Sequence, residues 1–168
     1  SGILKQRREK IQTGNAAREE MQGIWQRVRT VLENLGPGLV ERLHPGANRM
    51  ELAQVEKWFG LSFPDQVRAF FSVHNGSEGP IFENWELFSL EEMYEEYKIM
   101  EQFLSLGPFS ERQDSSWYQW DASWLPLMGA GPSLRVAFNL QPLRWGEQEV
   151  IFLYSKEGTV PLPIIAAS

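Results

Sequence analysis

The first third of the chain repeats apolar residues with the period of an α-helix. Between residues 17 and 35 they recur at steps of three and four, which places them on one helical face. These positions are Ala17, Met21, Ile24, Trp25, Val28, Val31, Leu32 and Leu35. Asn15 is a typical N-terminal cap and Gly36-Pro37 is a typical helix end, so the pattern predicts a helix between these two points.

Two shorter helices are predicted next, separated by a tight turn. Asn48 and Glu51 have the spacing of a capping box, and Gly60 fits the position just past a helix end because glycine adopts positive φ at little cost. Pro64 suits the first turn of the following helix, and His74-Asn75-Gly76 ends it. The apolar positions of the two helices are Leu52, Val55, Phe59, Val67, Phe70 and Phe71.

Beyond residue 76 the pattern changes to short apolar runs between turn residues, which is typical of an antiparallel sheet. The predicted strands are residues 81–88, 124–128, 134–140, 149–155 and 160–167. Ser89 and Glu92 have the spacing of a second capping box, so a fourth helix is predicted to interrupt the strands. Helices followed by a largely antiparallel sheet with a helical insertion indicate an α+β fold.

Composition limits the class of protein. The chain has 168 residues and 42% hydrophobic content, which is enough for one buried core, so we expect one compact unit. The absence of cysteine excludes disulfides, zinc–thiolate sites and cysteine nucleophiles. No apolar run approaches the roughly 20 residues that a membrane helix needs. The composition therefore predicts a soluble, cytoplasmic protein that binds no membrane.

Residues suited to catalysis or metal binding are few. His44 lies before a Pro-Gly turn without a partner at helical spacing, and His74 lies at a predicted helix end, where an imidazole is favoured for structural reasons. No serine lies in a nucleophile elbow. The Gly-rich segment 129–133 lies between strands and has no Lys-Ser/Thr pair, so it predicts a hairpin turn rather than a phosphate loop. We therefore predict no enzyme, no catalytic residue, no metal and no cofactor.

The net charge of −6 is unevenly distributed. Residues 1–30 hold seven basic and three acidic residues, a net charge of +4, whereas residues 78–121 hold eleven acidic and two basic residues, a net charge of −9. The acidic segment repels nucleic-acid phosphates, so we expect a basic protein partner and no nucleic acid there. The basic stretch 1–14 has three open interpretations, which are a helical extension, a disordered arm and a nucleic-acid contact.

Aromatic residues accompany these acids, since ten of the chain's 21 aromatic residues lie in residues 78–121. Exposed rings with an acidic rim are typical protein-binding anchors, although many of these rings must fill the core and a solvated helix face also explains the glutamates. We expect Trp85, Trp117 and Trp120 to reach the surface. The predicted contact residues are Glu83, Trp85, Glu86, Glu91, Glu92, Glu95, Glu96, Trp117, Trp120 and Asp121.

Residues 43–79 read LHPGANRMELAQVEKWFGLSFPDQVRAFFSVHNGSEG. This segment resembles the SUKH superfamily, in particular its branch related to the fungal Smi/Knr cell-wall assembly regulators. The motif positions, which the resemblance implies to be structural, are Glu56, Gly60, Phe63, Pro64, Asn75, Gly76 and, in a later Trp-x-Pro strand, Trp124 and Pro126. The chain departs from the family pattern at Pro132 and Asn139, where the family commonly has Asp.

The resemblance covers residues 39–168 and implies an α+β domain with a mixed or antiparallel sheet, preceded by a basic arm and an added helix in residues 1–38. Many bacterial members are immunity proteins that neutralise secreted toxins, often nucleases or deaminases, and fungal members regulate cell-wall synthesis through partner proteins. The resemblance therefore implies a non-catalytic immunity protein that binds a cognate toxin, and the acidic charge of residues 78–121 predicts that this toxin is basic. The alternatives are a regulatory scaffold that binds an endogenous partner and an enzyme that uses an acidic groove around Glu83, Glu86 and Asp121.

Overall fold

Four α-helices and one five-stranded sheet make up the described part of the chain. The computed structural model describes residues 2–105, 120–132, 134–141 and 150–154. The helices are α1 (Gly2–Leu35), α2 (Arg49–Phe59), α3 (Asp65–Val73) and α4 (Leu90–Ser105), with a short 3₁₀ helix at Val40–Arg42. The strands are β1 (Pro80–Phe82), β2 (Trp85–Leu87), β3 (Trp124–Ala130), β4 (Leu134–Asn139) and β5 (Val150–Tyr154). Each strand pairs antiparallel with the next, in chain order, which confirms the α+β fold with α4 inserted.

The first helix is longer than the sequence pattern predicts. α1 begins at Gly2, so the predicted cap at Asn15 is wrong, and the basic stretch is a helical extension. Its Lys, Arg, Glu and Gln residues favour helix, and lengthening an existing helix avoids the cost of a new nucleus. The buried residues of α1 are Trp25 and Leu32, both in its second half, whereas residues 2–13 are exposed.

The predicted strand 81–88 is two strands instead of one. Residues 83 and 84 form the turn between β1 and β2, and Glu83 adopts a positive φ of 48°. A residue other than glycine in this region is uncommon and typical of a tight turn. The segment predicted as one strand is therefore a hairpin.

The other local predictions are confirmed with small shifts. The capping box of Asn48 and Glu51 forms at the start of α2. The strands predicted at residues 124–128, 134–140 and 149–155 are β3, β4 and β5, and β3 and β4 form a hairpin at the Gly-rich segment. The strand predicted at residues 160–167 lies outside the described residues.

The turn between α2 and α3 is fixed by Gly60 and Glu56. Gly60 ends α2 with a φ of 69°. The Glu56 carboxylate accepts a hydrogen bond from the Phe63 backbone N–H at 3.1 Å, and it pairs with the Arg68 guanidinium at 2.6 and 3.0 Å. Because Glu56 lies on α2 and Arg68 on α3, one carboxylate joins both helices and the turn between them.

A close approach of the backbone joins the end of α3 to the start of α4. The Asn75 side-chain oxygen accepts a hydrogen bond from the Leu90 N–H, in the first turn of α4, at 2.8 Å. Gly76 has a φ of 84°, and a Cβ atom at this position would lie 2.6 Å from the Ser89 nitrogen. The glycine is therefore required both for its backbone conformation and for the space that it leaves to α4.

The core of the protein lies between the sheet and helices α2, α3 and α4. Its largest fully buried apolar side chains are Phe71, Leu90, Met93, Met100, Leu125, Val67 and Pro126. α1 is attached to α3 through Trp25, whose ring lies 5.4 Å from that of Phe70 and packs edge-on against His74 at 4.9 Å. Because α4 covers part of this core, one of its faces is buried and the other points outward.

Candidate protein-interaction surface

A capping box fixes the start of α4. The Ser89 N–H donates a hydrogen bond to the Glu92 carboxylate at 2.7 Å, and the Glu92 N–H donates one to the Ser89 hydroxyl at 3.1 Å, as the sequence predicts. Among the α4 side chains that the structure describes, Leu90, Met93 and Met100 are buried. Because the helix repeats every 3.6 residues, burying them turns Glu91, Glu92 and Glu95 outward, and all three are exposed.

An exposed aromatic ring lies beside these acids. Trp58 of α2 packs against Tyr94 of α4 with ring centroids 5.3 Å apart, and 42% of Trp58 is exposed. The Lys98 ammonium lies 4.8 Å from the centroid of the Tyr94 ring and pairs with the Glu95 carboxylate at 2.9 Å. We call the surface formed by Trp58, Glu91, Tyr94, Glu95 and Lys98 the Trp58 patch.

Trp58 is a site residue that the sequence patterns did not single out. The buried stripe of α2 is defined by Leu52, Val55 and Phe59. At 100° per residue, Trp58 lies about 90° from the centre of that stripe, so a helical projection places it at the border between core and solvent. Helical spacing was therefore the signal that could have identified this ring.

Trp120 does not reach the surface, so the expectation of an exposed ring there is wrong. It is 4% exposed and packs edge-on against Trp124, with ring centroids 5.7 Å apart. Met100 of α4 and Ala137 of β4 belong to the same cluster. The ring fills the space where the helix crosses the sheet above a small side chain. Trp117 lies outside the described residues.

Two of the acidic residues predicted to contact a partner, Glu96 and Asp121, form hydrogen bonds with other residues of the protein instead. Glu96 lies one helical turn from Glu92 but pairs with the Arg135 guanidinium at 3.1 and 3.4 Å. Arg135 is 8% exposed, so this carboxylate neutralises a buried charge. The Asp121 carboxylate accepts hydrogen bonds from the N–H and the hydroxyl of Ser123 at 2.8 and 2.6 Å. Both carboxylates therefore stabilise the fold.

The β1–β2 hairpin presents the remaining predicted contact residues. Glu83 and Glu86 are exposed, and Trp85 is half-buried. Glu86 is paired with Gly129, which is paired with Arg135, so these three lie in one row on the same face of the sheet. The two hairpin acids thus lie on an open turn and strand.

The two histidines contact backbone carbonyl groups. His74 is buried at the end of α3, as predicted, and its Nδ1–H donates a hydrogen bond to the His44 carbonyl at 2.7 Å. Burial lowers the pKa of His74, the hydrogen bond to His44 opposes this shift, and the nearby Arg29 charge adds to it. His44 places Nδ1 3.1 Å from the Asn75 carbonyl and Nε2 3.3 Å from the Glu78 carboxylate. Both rings therefore have structural contacts.

Tyr97 is a second titratable residue of this region whose pKa is shifted. Burial raises the pKa of Tyr97, and the Glu101 and Asp121 charges raise it further. Its hydroxyl donates a hydrogen bond to the Ala122 carbonyl at 2.8 Å, so the phenol stays protonated.

Among the described residues, no three His, Cys, Asp or Glu side chains lie close enough together to hold a metal ion. No described helix combines the length and the apolar character needed to cross a membrane.

Residues 46–168 match the sequence profile of the SMI1 / KNR4 family (SUKH-1). The chain belongs to this family. The resemblance carried by residues 43–79 is thereby confirmed. SUKH-1 domains occur in immunity proteins and regulators, often bind protein partners and are generally non-catalytic. No curated protein matches the chain. The match begins at residue 46 and therefore does not test the division of the chain into residues 1–38 and 39–168, which stays a prediction.

The SUKH-1 motif residues lie at turns and in the core. Glu56, Gly60, Phe63 and Pro64 form the α2–α3 turn, Asn75 and Gly76 join α3 to α4, and Trp124 and Pro126 are buried in β3. Asn139, where the family commonly has Asp, is completely buried, and its side-chain oxygen accepts a hydrogen bond from the Gln141 N–H at 2.9 Å. A neutral amide at this buried position avoids the cost of an unpaired charge.

Proposed function

We propose that this SUKH-1 protein is a non-catalytic immunity protein that neutralises a toxin with a basic surface, such as a nuclease or a deaminase, through the Trp58 patch. The observation that carries the proposal is the half-exposed Trp58 ring, which packs on Tyr94 beside the exposed Glu91 and Glu95. Trp is enriched among the interface residues that dominate binding energy. A ring already held by its neighbour also loses less conformational freedom when a partner covers it.

The charge of the surface around Trp58 favours a basic partner. Glu91 and Glu92 are exposed on the same helix, and residues 78–121 carry a net charge of −9. Complementary charge mainly accelerates encounter and excludes partners of the wrong sign. A toxin that acts on nucleic acid presents cationic residues to phosphate groups, so an acidic protein surface competes directly with its substrate.

The test requires the toxin encoded beside the gene for this protein. Co-expression should rescue cells from that toxin, and Trp58→Ala should abolish rescue and weaken the purified complex at least about tenfold, mainly through faster dissociation. Met50→Ala is the matched control, because Met50 is 82% exposed on the same helix and lies outside the Trp58 patch. Equal affinities of the two variants would exclude Trp58 as an anchor.

A second pair of variants tests the charge. Reversing Glu91 and Glu95 to Lys should slow association at low salt, with most of the effect lost at high salt. The control reverses Glu33 and Glu41, which are exposed and change the net charge by the same amount. Glu92 and Glu96 are left intact, because one caps α4 and the other neutralises Arg135. Association rates that fall equally in both pairs would indicate a general charge effect.

A regulatory scaffold of the cell-wall-assembly-regulator type is the second candidate. It is favoured by a second, oppositely charged surface between α1, α2 and α3, because a scaffold contacts two partners at once. Failure of the protein to rescue cells from any neighbouring toxin would favour this alternative. Retention of an endogenous protein by the wild type but not by Trp58→Ala would then assign the Trp58 patch to that partner.

A further inference from the structure

A groove of about 780 Å³ separates the first half of α1 from α2 and α3. The α1 residues that line it include Arg7, Lys10, Ile11, Gly14 and Arg18. Their spacing from Arg7, which is three, four, seven and eleven residues, places them on one face of the helix. Since the rise is about 1.5 Å per residue, Arg7 and Arg18 lie about 16 Å apart along the axis. The groove is therefore long enough for about three turns of a helix.

The floor and the far wall of the groove come from α2 and α3. The aliphatic residues that line it are Ile11, Leu52, Ala53 and Ala69. At Gly14 the first helix comes close to α3, since a Cβ atom there would lie 3.9 Å from the Asp65 carboxylate. Asp65 therefore bounds the middle of the groove, and Gly14 adds no side chain that would narrow it further. The site thus combines an apolar floor with polar walls.

The walls carry an excess of positive charge. Five cations and two carboxylates line the groove, a local net charge of +3 in a chain whose net charge is −6. Arg68 is neutralised by Glu56, but Arg7, Lys10 and Arg18 make no ion pair with another described residue, and neither does Arg49 on the opposite wall. These four cations are available to an anionic ligand.

We propose that this groove binds an acidic amphipathic helix of a partner protein. An apolar helical face fits the aliphatic floor, and flanking carboxylates fit Arg7, Lys10, Arg18 and Arg49, as in other helix-in-groove complexes. The acidic helix α4 of a second copy does not fit, because its apolar residues Leu90, Met93 and Met100 are buried in its own core. Single-stranded nucleic acid is less suited, because its binding sites add aromatic rings to stack the bases and none of the described residues that line this groove is aromatic.

The probe is a fluorescein-labelled synthetic peptide of about 16 residues, with Leu and Glu at helical spacing, measured by fluorescence anisotropy against the whole protein. A peptide with Lys in place of every Glu and a poly-dT oligonucleotide are measured alongside. Charge reversal of Arg7 and Arg18 to Glu should weaken binding of the acidic peptide at least about tenfold. The control reverses Lys5 and Arg8, which are exposed on α1, do not line the groove and change the net charge equally.

Gly14→Leu tests the groove without changing its charge. The new side chain projects into the groove, and leucine is a better helix former than glycine, so the variant is expected to remain folded. It should weaken peptide binding at least about tenfold, because burial of the peptide's apolar face needs the open floor. Circular dichroism verifies the helix content of each variant.

Three results would overturn the proposal. Equal losses in the Arg7/Arg18 and Lys5/Arg8 variants would show that the peptide responds to net charge alone. Unchanged binding in Gly14→Leu would place the peptide elsewhere. Tighter binding of poly-dT than of the acidic peptide, lost on reversal of Arg7 and Arg18, would assign the groove to nucleic acid. Because the Trp58 patch is not altered in any of these variants, toxin neutralisation succeeds or fails independently.

Discussion

Replacing Glu56 by alanine removes the carboxylate that joins α2, the following turn and α3. Glu56 is 14% exposed, and it accepts hydrogen bonds from the Phe63 N–H and from two nitrogens of Arg68. In Glu56→Ala the Phe63 amide loses its acceptor next to a buried ring, and Arg68 loses its counter-ion. We expect a lower free energy of unfolding with an unchanged fold.

The magnitude follows from the exposure of the two partners of Glu56. A hydrogen bond from the largely buried Phe63 amide to a charged acceptor contributes about 1.5–3 kcal/mol. The Arg68 side chain is 35% exposed, so its ion pair contributes about 1 kcal/mol or less. Glu56→Ala should therefore lower the free energy of unfolding by about 2–4 kcal/mol, and Arg68→Ala by about 1 kcal/mol. Glu56→Gln keeps an acceptor for Phe63 and should fall between them.

Urea unfolding, followed by tryptophan fluorescence and circular dichroism, measures these differences when the m-value is unchanged. Lys57→Ala is the control, because Lys57 is an exposed neighbour on the same helix, and it should cost about 0.5 kcal/mol or less. The double variant of Glu56 and Arg68 should cost about as much as Glu56→Ala alone, because the first substitution already breaks the pair. Equal losses in Glu56→Ala and Arg68→Ala would refute the role assigned to the Phe63 hydrogen bond.

The remaining predictions concern Gly76 and His74. Gly76→Ala should lower the free energy of unfolding by at least about 2 kcal/mol, because its Cβ would meet the Ser89 nitrogen at 2.6 Å. Gly79→Ala is the control and should cost about 1 kcal/mol, since Gly79 shares the positive φ but has open space around it. Equal losses measured by urea unfolding would show that the contact with Ser89 is relieved. His74 has a lowered pKa in the folded state, so below about pH 6.5 the unfolded chain takes up a proton that the folded protein does not. The stability from neutral His74 is therefore complete at about pH 7.5 and decreases toward about pH 5.5, and His74→Gln should lose less stability over that interval than the wild type.

Features specified by neighbouring residues could be predicted from the sequence. The capping boxes at Asn48 and Ser89 depend on residues three positions apart, and the end of α2 depends on one glycine, Gly60. Each device satisfies backbone groups that any helix leaves unpaired, so it acts in the same way in any fold. The α+β fold followed because these local signals agreed with the change in hydrophobic period beyond residue 76.

Features specified by distant residues could not be predicted from the sequence. Glu92 and Glu96 occupy equivalent positions in a repeating glutamate pattern, yet Glu96 turns inward because Arg135, 39 residues later, needs a counter-ion. Trp120 is buried because α4 and β4 meet beside it. The continuation of α1 through the basic stretch likewise depends on the second half of the helix being anchored by Trp25. In each case the deciding contact lies outside the window in which a local pattern is read.

The net charge of the chain does not describe how its charges are distributed, and this distribution determines which ligands each surface can bind. A net charge of −6 favours a basic partner only if the protein acts as one uniform surface. The structure separates the exposed Glu91 and Glu95 of α4 from Arg7, Lys10 and Arg18 of α1, which line the basic groove. With a Debye length of about 8 Å at physiological ionic strength, a ligand responds mainly to the charges that it touches. The family match covers the acidic surface but only the α2 and α3 wall of the basic groove, so a SUKH-1 domain without α1 would lack the cations of that helix.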